Sequence, residues 1–247
     1  MTKLYQKSEI SFAILWIVVY VVLSGIADQL SEAAGVMKSV TAALHIAMSL
    51  VLIFWIRKND LGRKYGFCRS AVPAKRFLYY LPLVLIASTA FWGGVRMQYG
   101  FPEAVMYIVS MCCVGFLEEV IFRGLLFRAM EKDNLKSAII VSSLTFGIGH
   151  IVNLFNGSGR DLTLTLIQIV FAVLVGFVLV WIFYHGKSLV PCILFHSANN
   201  AFKVFAAEGN LSPQSEIIIN LVVIVVVLGG YLFYLVKAFP MREEHFC

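Results

Sequence analysis

The chain has 247 residues, of which 60% are hydrophobic and 14% charged, with a mean hydropathy of +0.85. A water-soluble domain runs near ~45–50% apolar and ~25% charged, so this chain would expose more apolar surface than water tolerates; disorder is excluded because there is too much to bury. The formal charge of +6 calls for no nucleic-acid partner, because a basic surplus in so apolar a chain is what the positive-inside rule produces.

Eight apolar segments follow one another, at 10–27, 39–56, 77–95, 103–131, 137–152, 162–184, 189–205 and 216–238. Lipid offers no partners to backbone N–H and C=O groups, so each is predicted to be helical, including the β-branched run Ile217–Gly230 that would read as a strand in water. The first segment follows Lys3 and Lys7 and ends near Gly25-Ile26-Ala27, loosely a signal-cleavage pattern. Its apolar run exceeds the ~7–15 residues of a signal core, so it is predicted to be retained as a helix. Charged or turn-rich stretches such as Arg57–Arg76 and Asn156–Asp161 separate the segments. The five cysteines, Cys68, Cys112, Cys113, Cys192 and Cys247, are odd in number and scattered, which suits neither a disulfide framework nor a zinc site. The fold class that follows is all-α: a polytopic integral membrane protein of about eight transmembrane helices, with 1–247 as one membrane domain.

Charge tests that count. With the N-terminus in the cytoplasm, the inside positions are Lys3, Lys7, the seven Lys and Arg from Arg57 to Arg76, Arg123, Arg128, Lys132, Lys136, Lys187, Lys237 and Arg242, or 16 of the 20 basic residues. Lys38, Arg96, Arg160 and Lys203 remain outside. This split obeys the positive-inside rule and predicts a multi-pass protein, of the cell membrane, with both termini cytoplasmic. The Arg57–Arg76 loop then reads as a topology anchor against anionic lipid.

Ionisable groups inside a membrane are costly and mark function by default. Val114–Leu126 reads V-G-F-L-E-E-V-I-F-R-G-L-L. Residues i and i+4 share a helix face, so Glu119 pairs with Arg123, while Glu118 has no partner on its own helix and becomes the general-base candidate. Phe146 and His150 form a second i, i+4 pair, beside Gly147 and Gly149, which permit close helix approach; His196 and Asn200 form a third. Glu118 lies 16 residues before the hairpin tip at Asn134 and His150 lies 16 after it, so both sit about 24 Å from the tip. His196 and Asn200 follow the turn at Gly186 by 10 and 14 residues, about 15 and 21 Å along a helix. All four groups are expected in one layer. A lone intramembrane histidine also reads as an interhelical hydrogen bonder; that plainer reading is given to His45, which is expected outside the shared cavity, and to Gln168 and Asn153.

The order E-E-x-x-x-R, F-x-x-x-H, H-x-x-x-N resembles the CPBP family of intramembrane proteases, which includes the type II CAAX prenyl endopeptidases and bacterial abortive-infection proteins. The matching residues are Glu118, Glu119 and Arg123, Phe146 and His150, and His196 and Asn200, within a catalytic core at about 105–205. The resemblance implies hydrolysis of a peptide bond in a membrane-associated peptide or protein. Glu118 and His150 would activate a water, His196 and Asn200 would stabilise the oxyanion, and Arg123 would hold Glu119. No metal is required by that scheme. Glu118, His150 and His196 would be the ligands if zinc took part, and H-E-x-x-H is absent. The C-terminal Glu244-His245-Phe246-Cys247 is not a CAAX box. Two other classes fit a buried polar layer: a non-catalytic immunity or scaffold protein, and a small proton-coupled transporter. The chain lacks the inverted repeats with matching broken helices that a transporter favours.

Overall fold

A computed structural model describes residues 1–154, 162–207 and 210–241. Arg160, Arg242, the Asn156–Asp161 loop, the Glu244–Cys247 end and the side chain of Asn153 lie outside the described residues. Among those described, regular structure is helical, apart from one antiparallel bridge between Val95 and Ala206.

Each of the eight apolar segments contains helix. After a short helix at Thr2–Lys7 come α1 (Glu9–Ala33), α2 (Ser39–Lys58), α3 (Leu81–Ser88), α4 (Phe101–Met130), α5 (Leu135–Val152), α6 (Leu162–Gly186), α7 (Val190–Ala201) and α8 (Gln214–Ala238). Their starts follow local chemistry. The Ser8 side chain accepts from Ser11 N ahead of α1, and the Asn134 side chain accepts from Ser137 N ahead of α5, satisfying amides that a helix start leaves orphaned. Pro102 and Pro191 stand in the first turns of α4 and α7, where a missing N–H costs nothing.

Six of these helices, all but α3 and α7, are long and apolar enough to cross a membrane. Of the about eight transmembrane helices expected, the other two have 8 and 12 residues among those described. At ~1.5 Å per residue they reach about 12 and 18 Å, against a hydrocarbon core of roughly 30 Å. Helix cannot extend back from α3 because Leu78, Tyr79 and Tyr80 have φ of 53°, 52° and 58°, the left-handed region that interrupts a right-handed helix. Beyond α7 the chain tightens into a 3₁₀ turn, Phe202–Phe205.

The short helices nevertheless run between the same two ends as the long ones. At one end Ala71 N donates to Gly186 O and Leu189 N to Gly66 O. Lys64 and Lys132 both reach Glu9 there, at 2.7 Å. At the other end Arg96 N donates to Phe205 O, and Lys38 meets Asp28 at 2.7 Å. The basic loops predicted to share a side therefore do share one end of the bundle. Arg123 belongs to neither end: its side chain is wholly buried among the helices, so it is removed from the count of topology-setting charges.

Outward-facing side chains are apolar. Phe54, Leu194, Val225 and Phe233 are each about two-thirds exposed, a surface that suits lipid and not water. The four cysteines described, Cys68, Cys112, Cys113 and Cys192, are free.

Candidate active site

The two adjacent glutamates lie where α4 changes its winding. Phe101–Glu118 is α-helical and Glu119–Phe127 is π-helical. Such stretches are rare and concentrate at functional sites. A carbonyl within the wide turn finds an outside partner: Ser142 Oγ on α5 donates to Phe122 O at 2.8 Å.

Glu119 and Arg123 form the pair expected from their spacing, at 3.1 Å, and neither side chain has any solvent exposure. The Arg123 guanidinium carbon stands 4.0 Å from the centre of the Phe146 ring, a desolvated cation–π contact. The same Glu119 oxygen, Oε1, lies 2.9 Å from His196 Nδ1. An ionised carboxylate only accepts, so Nδ1 carries the proton and the tautomer is fixed; Nε2 donates only when the ring is doubly protonated. Nε2 faces Glu118 Oε2 at 3.5 Å.

Glu118 has a different environment from its neighbour. Its side chain keeps 12% exposure, and its Oε1 accepts a 2.6 Å hydrogen bond from the Tyr20 hydroxyl on α1. The helix carrying His196 can come this close because Gly115 has no side chain. A Cβ on Gly115 would lie 2.5 Å from Ser197 N and 2.7 Å from Ser197 Cα. Gly147 plays the same part between α5 and α6, where a Cβ would lie 2.7 Å from Val173 N.

Phe146 joins the second motif to the third. Its ring packs edge-on against His196 at 5.5 Å and against His150 at 5.9 Å. Glu118, Glu119, Arg123, Phe146 and His196 are thus in one contiguous cluster, and His150 joins it by packing against the same Phe146 ring. Asn200 stands one helical turn beyond His196 and is partly buried, and it makes no side-chain hydrogen bond within the described residues. Gln168 is the interhelical hydrogen bonder expected of it: its Nε2 on α6 lies 3.4 Å from His150 Nδ1 on α5. His45 is buried, hydrogen-bonded through Nε2 to Ser24 Oγ and through Nδ1 to Ser110 Oγ, both at 3.0 Å. Its ring packs 5.8 Å from Tyr20, so it sits behind the cluster.

Sequence reasoning overlooked Tyr20 and did not name His150 as the partner of Gln168. A hydroxyl midway along the apolar run Ile17-Val18-Val19-Tyr20-Val21-Val22 was the available signal, because lipid provides that group no partner.

Among the described residues no three His, Cys, Asp or Glu side chains stand together as a metal ion requires, and the His196 nitrogens already face two carboxylates. A cavity of about 230 Å³ at the basic end, lined partly by Arg76, His185 and Lys187, shares no residue with the glutamate cluster.

Residues 100–202 match the family model described as type II CAAX prenyl endopeptidase Rce1-like. No curated protein and no solved structure matches the chain.

Proposed function

We infer from the Rce1-like match over residues 100–202 that this segment is a protease domain of the CPBP family, and we propose that the protein is an intramembrane endopeptidase acting on a membrane-associated peptide or protein. One observation carries the proposal. The Glu118 carboxylate has one oxygen held by the Tyr20 phenol and the other facing His196, inside a bundle where charge has no other reason to be.

In this reading Glu118 Oε2 takes a proton from a water whose oxygen attacks the scissile carbonyl carbon. His150 is the second partner of that water, and Gln168 orients its ring. The tetrahedral oxyanion accepts hydrogen bonds from His196 Nε2 and the Asn200 amide. His196 serves as a donor when its ring is cationic, with Glu118 and Glu119 on either side of it. The C–N bond then breaks and the proton held by Glu118 passes to the leaving amine. Donors fixed in a dry site are worth about 10²–10³ in rate each. Glu119 and Arg123 take no direct part: Arg123 holds Glu119, and Glu119 holds the His196 ring. No step is routed through zinc.

The test is cleavage of a quenched fluorogenic peptide, anchored in nanodiscs, by purified protein. Glu118→Gln keeps the shape and removes the basic oxygen, so turnover should vanish while peptide binding persists. Wild-type turnover in Glu118→Gln would end the base assignment. Activity that dies with a chelator and returns with zinc would replace the mechanism. No turnover by the unmodified protein on any membrane peptide, with the bundle intact, would favour a non-catalytic role.

A further inference from the structure

We propose that Tyr20 is a positioning residue for Glu118: its phenol occupies one carboxylate oxygen and so fixes which oxygen works as the base. This rests on the protease reading above and adds a residue from α1, outside the matched segment 100–202.

The geometry is specific. Tyr20 is 8% exposed, and its hydroxyl donates to Glu118 Oε1 at 2.6 Å, the short distance of a charge-assisted O–H···O bond. The ring cannot swing away. His45 on α2 packs against it at 5.8 Å with an interplanar angle of 32°. That imidazole is itself pinned at both nitrogens, by Ser24 on α1 and Ser110 on α4. Ser110 lies two helical turns before Glu118 on the same helix, so α1, α2 and α4 are locked together around the phenol.

Two consequences follow for the base. A carboxylate can exchange its oxygens by rotating about its last bond; with Oε1 bound to Tyr20, Oε2 stays directed at His196. In the protease reading the same bond leaves Oε2 as the oxygen that meets the water. The charged and titratable groups around Glu118 are Tyr20 from α1, His45 behind it from α2, His196 from α7, Glu119 with Arg123 on its own helix, and His150 from α5, which packs on Phe146.

Tyr20→Phe removes one oxygen and keeps the ring against His45. In nanodiscs with the fluorogenic peptide, kcat should fall about tenfold to a hundredfold, the range of a hydrogen bond to a charged group, with KM within about threefold. A second arm needs no turnover. In infrared difference spectra the carboxylate band that Glu118→Gln removes belongs to Glu118, and its frequency should shift in Tyr20→Phe, because that carboxylate loses a hydrogen bond. An unchanged kcat and an unmoved band overturn the proposal. A rise in KM alone also overturns it, by making Tyr20 a substrate contact. If the unmodified protein never cleaves but the band moves, the protease reading fails and the Tyr20–Glu118 bond stands.

Discussion

Arg123→Ala removes a cation from a place water does not reach. Glu119 and Arg123 both have 0% side-chain exposure at 3.1 Å, and the guanidinium also covers Phe146 at 4.0 Å. Deleting one member of such a pair leaves the other buried and uncompensated, which costs about 3–5 kcal/mol. Loss of the desolvated cation–π contact adds about 1–2 kcal/mol. His196 Nδ1 still donates to Glu119, which holds the total toward the lower end. For a chain of this length ~1 kcal/mol moves the melting temperature by roughly 2–4 °C, so a total of about 4–5 kcal/mol should make Arg123→Ala melt about 8–20 °C below the unmodified protein. The assay is thermal unfolding in mild detergent, read by size-exclusion chromatography after heating. The double variant Glu119→Gln, Arg123→Met removes both charges and fills the space, so it should recover much of that loss while remaining catalytically impaired, because His196 loses its carboxylate. Melting of Arg123→Ala within about 2 °C of the unmodified protein would refute the argument. So would a double variant less stable than the single one.

Asn200→Ala should lower kcat by about 10²–10³ with little change in KM, as for a donor acting in the transition state; an equal loss of binding would assign Asn200 to substrate recognition. Gly115→Ala would drive a methyl group against the Ser197 backbone, so α7 must shift and carry His196 off the glutamates. Kinetics should show at least a tenfold loss of turnover, with about 1–3 kcal/mol of stability, and full activity would mean that α7 yields elsewhere. Topology is read with an impermeant maleimide on intact cells, in a background lacking the other cysteines. Cys68 at the basic end should stay unlabelled and Arg96→Cys at the opposite end should react; the reverse pattern would invert the bundle.

The membrane environment, the helical segments and the three pairs at i, i+4 were determined by the sequence itself. Composition decides the solvent, and helix geometry fixes which residues share a face without reference to any neighbour. The Glu119–Arg123 contact and the turns at Asn134 and Gly186 are local in that sense. Only the tertiary structure set the wider surroundings of the two glutamates, adding a histidine and complete burial to Glu119 and giving Glu118 a phenol and partial exposure. It alone brought Tyr20 to Glu118 and Gln168 to His150, and it shortened α3 and α7. A helix that is apolar all round carries no mark of which face meets which neighbour. In lipid that rotation is set by close packing at small residues such as Gly115 and Gly147 and by the need to pair every buried hydroxyl and charge. Those are properties of surfaces meeting across the bundle, and they exist only once the helices are assembled.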